Sequence, residues 1–148
     1  MTMKTQNKNA ETFFNNYEKR FNATLKGEKI DLDATIASFT DCFIESSPLG
    51  VICGKNDNEF KARMSKGYEF YKKIGITSMD ILSKEITVLD GYHTMVKIYW
   101  RTNYQKEGKI GKIEFEVIYF LHYKDKKHAI FAYITGDEEK ALKDHGLV

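Results

Sequence analysis

Glu85 and Asp137 are the two carboxylates that the strand pattern of the C-terminal half places among aromatic and hydroxyl side chains. A carboxylate in such surroundings is costly to bury, and without a partner its proton affinity rises. That is the setting in which a carboxylate acts as a general base. Tyr119, Ser83, Thr87 and Thr135 are the hydroxyls on the same rows, and Tyr119 or Tyr17 would stabilise a developing oxyanion. The candidate catalytic set is therefore Asp137 or Glu85 as base with Tyr119 as donor. Each acid has a structural alternative: Asp137 as the N-cap of a terminal helix, and Glu85 pointing to water at a strand kink.

Other chemistries find less support. Four histidines and two cysteines, Cys42 and Cys53, have no metal-ligand spacing, so neither a metal nor another cofactor is expected. The two thiols read as reduced. With 23 basic and 21 acidic residues the net charge is +2, which argues against a nucleic-acid footprint. The densest basic run, Lys124-Asp125-Lys126-Lys127, fits a solvated hairpin tip. No stretch approaches the ~18–20 apolar residues of a membrane span, and no secretory leader is visible, so the expected location is cytoplasmic.

These residues must be held by elements that the periodicity reveals. The 148 residues suit one domain with a substantial core. Phe13, Phe14, Tyr17, Phe21 and Leu25 recur at helical spacing, predicting a helix from Asn9 to Lys26 with Gly27 past its end and residues 1–8 flexible. A short helix capped by Asp33 follows, with Ile36 and Phe39 inward, then an extended stretch over 42–54 interrupted by Pro48. A third helix over 57–73 carries Phe60, Met64, Tyr68 and Tyr71. From Ile76 the period becomes two, predicting strands near 77–89, 92–104, 111–124 and 129–136. A capping helix begins at Asp137. Helices followed by a meander read as α+β, with helices on one face of the sheet.

Hairpin arithmetic sorts side chains onto faces. A two-residue turn at Asp90-Gly91 pairs Glu85 with Val96 and Ile81 with Trp100. A turn at Glu107-Gly108 sets Trp100 beside Phe115 and Val96 beside Tyr119. A three-residue loop at the last hairpin brings Phe131, Tyr133, Thr135 and Asp137 to the same side. One face thus carries Trp100, Phe115, Tyr119, Phe131 and Tyr133, opposite the helix residues Tyr17, Phe21, Phe60, Met64 and Tyr68. A partly open interior between them would bind an apolar or aromatic small molecule. The other face mixes Lys97, Arg101, Glu114 and Glu116 with Met95, Ile118, Phe120 and Ile130, and has His93 opposite His122. Such a surface suits a homodimer interface.

The aromatic N-terminal helix, the Pro48 region and the helix over 57–73 resemble the nuclear transport factor 2-like superfamily and its SnoaL-like domains. So do VKIYWRTNY at 96–104, IEFEVIYFLHY at 113–123 and AIFAYITGDEEKALKDHGL at 129–147. The resemblance implies a cone-shaped, cystatin-like roll: three helices packed on a curved antiparallel sheet, with a pocket between them and dimers through the sheet. Members include polyketide cyclases, steroid isomerases, dehydratases and binding modules, so the fold alone does not decide the activity. In SnoaL-like cyclases a late-strand aspartate serves as acid/base, and Asp137 is the residue that corresponds. The neighbouring strand has Leu121 and Tyr123 where a core-facing histidine would be expected. Two functions follow as expectations: a small-molecule pocket protein, or a cofactor-independent proton-transfer enzyme.

Overall fold

The computed structural model describes residues 2–28 and 31–148. The helices are α1 (Met3–Leu25), α2 (Leu32–Ile36), α3 (Asn58–Lys73) and α4 (Glu138–Asp144). The strands are β1 (Phe39–Ser47), β2 (Gly50–Lys55), β3 (Ile76–Val88), β4 (His93–Lys106), β5 (Lys109–Lys124) and β6 (Lys127–Ile134). They form one six-stranded sheet in the order β2-β1-β6-β5-β4-β3, and the helices complete the expected α+β roll. The sheet is not wholly antiparallel, because β1 runs parallel to β6.

Local chemistry sets the helix ends. Thr2, not Asn9, caps α1: its side chain accepts from the Thr5 N–H, and the stretch expected to be flexible is helical from Met3 onward. Asp31, not Asp33, caps α2, while Asp57 caps α3 and Asp137 caps α4. The apolar stripe of α1 places Ala10, Phe14 and Phe21 in the core. Phe39 and Phe43, the first assigned above to a helix, belong to β1, where β-branched and aromatic neighbours favour an extended chain.

The long helix also covers the free edge of the sheet. Asn22 brackets Met79, accepting from its N–H at 2.7 Å and donating to its carbonyl at 2.9 Å. Glu18 accepts from the Ile81 N–H. These bonds satisfy backbone groups that an uncovered edge strand would expose.

Two bulges decide which side chains face inward. Ile81 pairs with Trp100 as the hairpin arithmetic predicts, but a bulge between Ile81 and Ser83 shifts the rest of the ladder by one residue. Toward the turn, Glu85 pairs with Lys97 and Ile86 with Val96. The turn is correspondingly wider than two residues. The N–H groups of Leu89 and Asp90 both reach the His93 carbonyl, and the Asp90 carboxylate accepts from Tyr92 N–H at 2.8 Å. A one-residue shift moves a side chain to the opposite face, so Glu85 lies outside, exposed, with the Tyr99 hydroxyl donating to it at 3.3 Å.

The last hairpin turns on two residues, Asp125 and Lys126, both with positive φ, rather than on three. A second bulge lies between Phe120 and Leu121. The short turn puts Ile130 in the core at 0% exposure, Phe131 points outward against Phe120 and His93, and the bulge returns Tyr133 to the row of Tyr119. The β4–β5 rows stand as expected, with Trp100 beside Phe115 and Val96 beside Tyr119. On the outer face His93 and His122 do sit opposite one another, with ring centroids 5.3 Å apart. Arg101 and Glu114 are Cα partners, yet the Glu114 carboxylate pairs with Lys112 at 3.5 Å. Both cysteines are free and exposed. No described helix is long and apolar enough to cross a membrane.

Candidate functional site

The inner sheet face and the helices do not close completely on one another. They leave a cavity of about 430 Å³. Its apolar wall is aromatic: Tyr17 and Phe21 come from α1, Phe60 and Met64 from α3, Phe115 from β5 and Tyr133 from β6. All six were expected to contact a ligand. The wall arises because α1 and α3 each turn one stripe toward strands whose inward positions carry large rings. Each ring removes apolar area from water at roughly 25 cal/mol per Å², so the cavity persists inside a strongly apolar shell.

Tyr119 lines the cavity with 7% of its surface exposed. Its hydroxyl oxygen accepts from the indole N–H of Trp100 at 3.1 Å. The phenolic proton of Tyr119 therefore has no acceptor among the described residues and borders the cavity. Tyr17 packs near it, with ring centroids 6.4 Å apart, and its hydroxyl also makes no hydrogen bond to a described residue. Burial raises the pKa of both phenols well above the ordinary value, while the Trp100 bond acts in the opposite sense on Tyr119. Both hydroxyls are thus neutral donors at physiological pH.

Three carboxylates also line the cavity. Asp137, half-buried, lines the cavity while one of its oxygens caps α4 by accepting from the Lys140 N–H at 3.0 Å. The catalytic and the capping readings of Asp137 are compatible, since a carboxylate has lone pairs for both. Glu138 accepts from the Tyr71 hydroxyl at 2.6 Å. Glu45 comes from β1, which brings it beside Tyr133 on β6. Burial raises the pKa of the Tyr133 hydroxyl and the nearby Glu45 charge raises it further; burial and then Glu138 act likewise on Tyr71.

Three expected site residues are placed elsewhere. Glu85 is on the outer face because of the β3 bulge, so it is not a base for this cavity. Trp100 is fully buried and does not line the cavity; it supports the wall from behind, donating to Tyr119 and neighbouring Tyr17 and Phe115. Tyr68 packs edge-to-face on Phe21 at 5.0 Å and is core rather than wall. Burial raises its hydroxyl to about 12, partly offset by Arg20.

The sequence reading overlooked Glu45, Thr102, Met79 and Glu138 as wall residues. Thr102 continues the alternation through Ile98 and Trp100 and was discoverable from it. Glu138 lies next to Asp137 but reads as a first-turn helix acid. Glu45 carries no local signal, because only the parallel β1–β6 pairing brings it to the cavity. Among the described residues, no three His, Cys, Asp or Glu side chains are grouped so as to hold a metal ion.

A family model described as NTF2-like protein (DUF6841) matches residues 7–138. Solved structures share the fold. One is an NTF-2 like protein of unknown function from Shewanella oneidensis MR-1, at 20% identity and a TM-score of 0.66, covering 88% of this chain and 98% of that one. Another is a ketosteroid isomerase-like protein from Erwinia carotovora atroseptica SCRI1043, at 16% identity and a TM-score of 0.63, covering 88% and 95%. A third is an NTF2-like protein with a cystatin-like fold from Novosphingobium aromaticivorans, at 9% identity and a TM-score of 0.67, covering 95% and 87%. No curated protein matches the sequence.

Proposed function

Because this chain belongs to the NTF2-like family (DUF6841), in which the fold does not dictate the activity, we propose from its own cavity that it binds a small, largely apolar or aromatic molecule. The observation that carries the reading is the aromatic cavity of about 430 Å³, lined by the unpaired phenolic proton of Tyr119 and by carboxylates. The volume falls within the ~300–1,000 Å³ usual for ligand pockets, and few convergent polar groups in an apolar shell is their usual chemistry. The ligand lies against the rings of Phe60, Phe115 and Tyr133. An oxygen or nitrogen acceptor on it receives the Tyr119 proton.

Trp100 is the sole tryptophan and sits directly behind Tyr119, so it reports on the cavity. Titration with naphthol should change its emission and raise the melting temperature. Met64→Phe, which fills the cavity from α3, should weaken both responses. An emission spectrum and melting temperature indifferent to naphthol would sink the reading.

A second reading, cofactor-independent proton transfer of the isomerase, cyclase or dehydratase type, is favoured by one observation. Asp137, a possible base, and Tyr119, a donor for a developing oxyanion, line the same cavity. The ketosteroid isomerase-like neighbour agrees with this reading at the level of fold. Solvent deuterium exchange into an enolisable aryl ketone, compared between the native protein and Asp137→Asn, tests it. Equal exchange rates would remove Asp137 as the base.

A further inference from the structure

The cavity has a charge pattern that narrows its ligand. Asp137, Glu138 and Glu45 line it, and among the described residues no lysine, arginine or histidine does. This contrasts with the chain as a whole, whose net charge is +2. The partners of these acids are neutral: the Lys140 N–H for Asp137, the Tyr71 hydroxyl for Glu138 and the neighbouring Tyr133 for Glu45. Lys140 commits its ammonium to Asp144 at 2.7 Å and feels Asp137 only weakly. The negative charge lining the cavity is therefore uncompensated by a lining cation among the described residues.

Two further features point to a ligand rather than to surface acidity. The acids border an aromatic cavity, and ring faces attract cations through their quadrupoles. Tyr119, 7% exposed, borders the same space with its phenolic proton unpartnered among the described residues. The cavity thus offers acceptors for a cation and a donor for an oxygen of the same occupant.

We propose that the pocket takes an organic cation: a protonated or quaternary amine facing the carboxylates, carried on an aromatic or apolar body with an oxygen that accepts from Tyr119. The inference rests on the cavity being a ligand site, and it adds the charge of the ligand. An anionic occupant meets three carboxylates and no cation. A neutral one leaves the carboxylates unanswered.

Three para-substituted phenols separate these cases by calorimetry at low ionic strength: para-hydroxyphenyl-trimethylammonium, its neutral isostere para-tert-butylphenol, and the anion para-hydroxybenzoate. The expected order is cation, then neutral, then anion, with the cation favoured over its isostere by about tenfold, the equivalent of one desolvated cation–π or ionic contact. The pair Glu45→Gln and Glu138→Gln keeps the acceptors for tyrosine and removes charge. It should shrink that preference to about threefold or less. In the native protein, added salt should weaken binding of the cation selectively, which keeps the test independent of how the double variant folds. Binding of the neutral isostere as tightly as the cation overturns the inference and leaves the pocket reading intact. Binding of none of the three overturns both.

Discussion

The indole N–H of Trp100 donates to the hydroxyl of Tyr119 across 3.1 Å, joining a fully buried side chain on β4 to the residue that borders the cavity from β5. The bond satisfies the single donor of the indole and fixes which way the phenol presents its own proton.

Removing the acceptor should therefore be felt in stability as well as in binding. Tyr119→Phe leaves a buried N–H unpaired, at a cost of about 1–3 kcal/mol. Urea denaturation followed by Trp100 emission measures this directly. An unchanged midpoint would show that the indole finds another partner.

Asp137 offers a way to separate its two roles. Asparagine retains capping ability and alanine does not, so Asp137→Ala should destabilise the protein by about 1 kcal/mol and Asp137→Asn by much less. In the proton-transfer reading both variants lose exchange activity together, because activity follows the charge while stability follows the cap. Comparing their urea midpoints with their exchange rates tests the separation.

The position of Glu85 makes a control. Its carboxylate is on the outer face, reached by the Tyr99 hydroxyl and remote from the cavity wall. Glu85→Gln should bind naphthol with native affinity and melt at the native temperature. A loss of affinity would mean that the β3 register is one residue different from that described.

His128 should make stability depend on pH. It is 8% exposed, its ring nitrogens lack well-formed hydrogen bonds, and Phe13 and Tyr123 pack against it. Burial lowers its pKa in the folded state, with partial opposition from the Gln6 backbone. Between that depressed value and the unfolded value near 6.5, the unfolded chain binds more protons than the folded one. Stability from this group is thus complete above about pH 6.5 and declines as the pH falls below it. Melting temperatures measured from neutral to mildly acidic pH should fall, and His128→Leu should fall less steeply.

Much of this arrangement is legible locally. Asp57 and Asp137 announce the starts of α3 and α4 by their capping chemistry, and the rows from Trp100 to Phe115 and from Val96 to Tyr119 follow from one tight turn. What resists local reading is cumulative. The bulge after Ile81 and the wider turn at Asp90 are each small. Between them, however, they exchange the faces of Glu85 and Ile86, because side-chain direction in a strand has a period of two. The same parity argument swaps Phe131 for Ile130 at the two-residue turn of the last hairpin, and the second bulge returns Tyr133 to its expected row beside Tyr119.

The sequence by itself determined the α+β class, the aromatic stripes of α1 and α3, and the central β4–β5 rows, since periodicity and turn chemistry act over a few residues. Only the tertiary structure decided that Glu45 reaches the cavity, that Trp100 stands behind the wall rather than in it, and that Asp137 shares the wall with Glu138. These depend on a parallel pairing between β1 and β6, distant in sequence, and on register shifts within the sheet. A contact across such a separation leaves no local pattern, because the free energy that selects it comes from the assembled core.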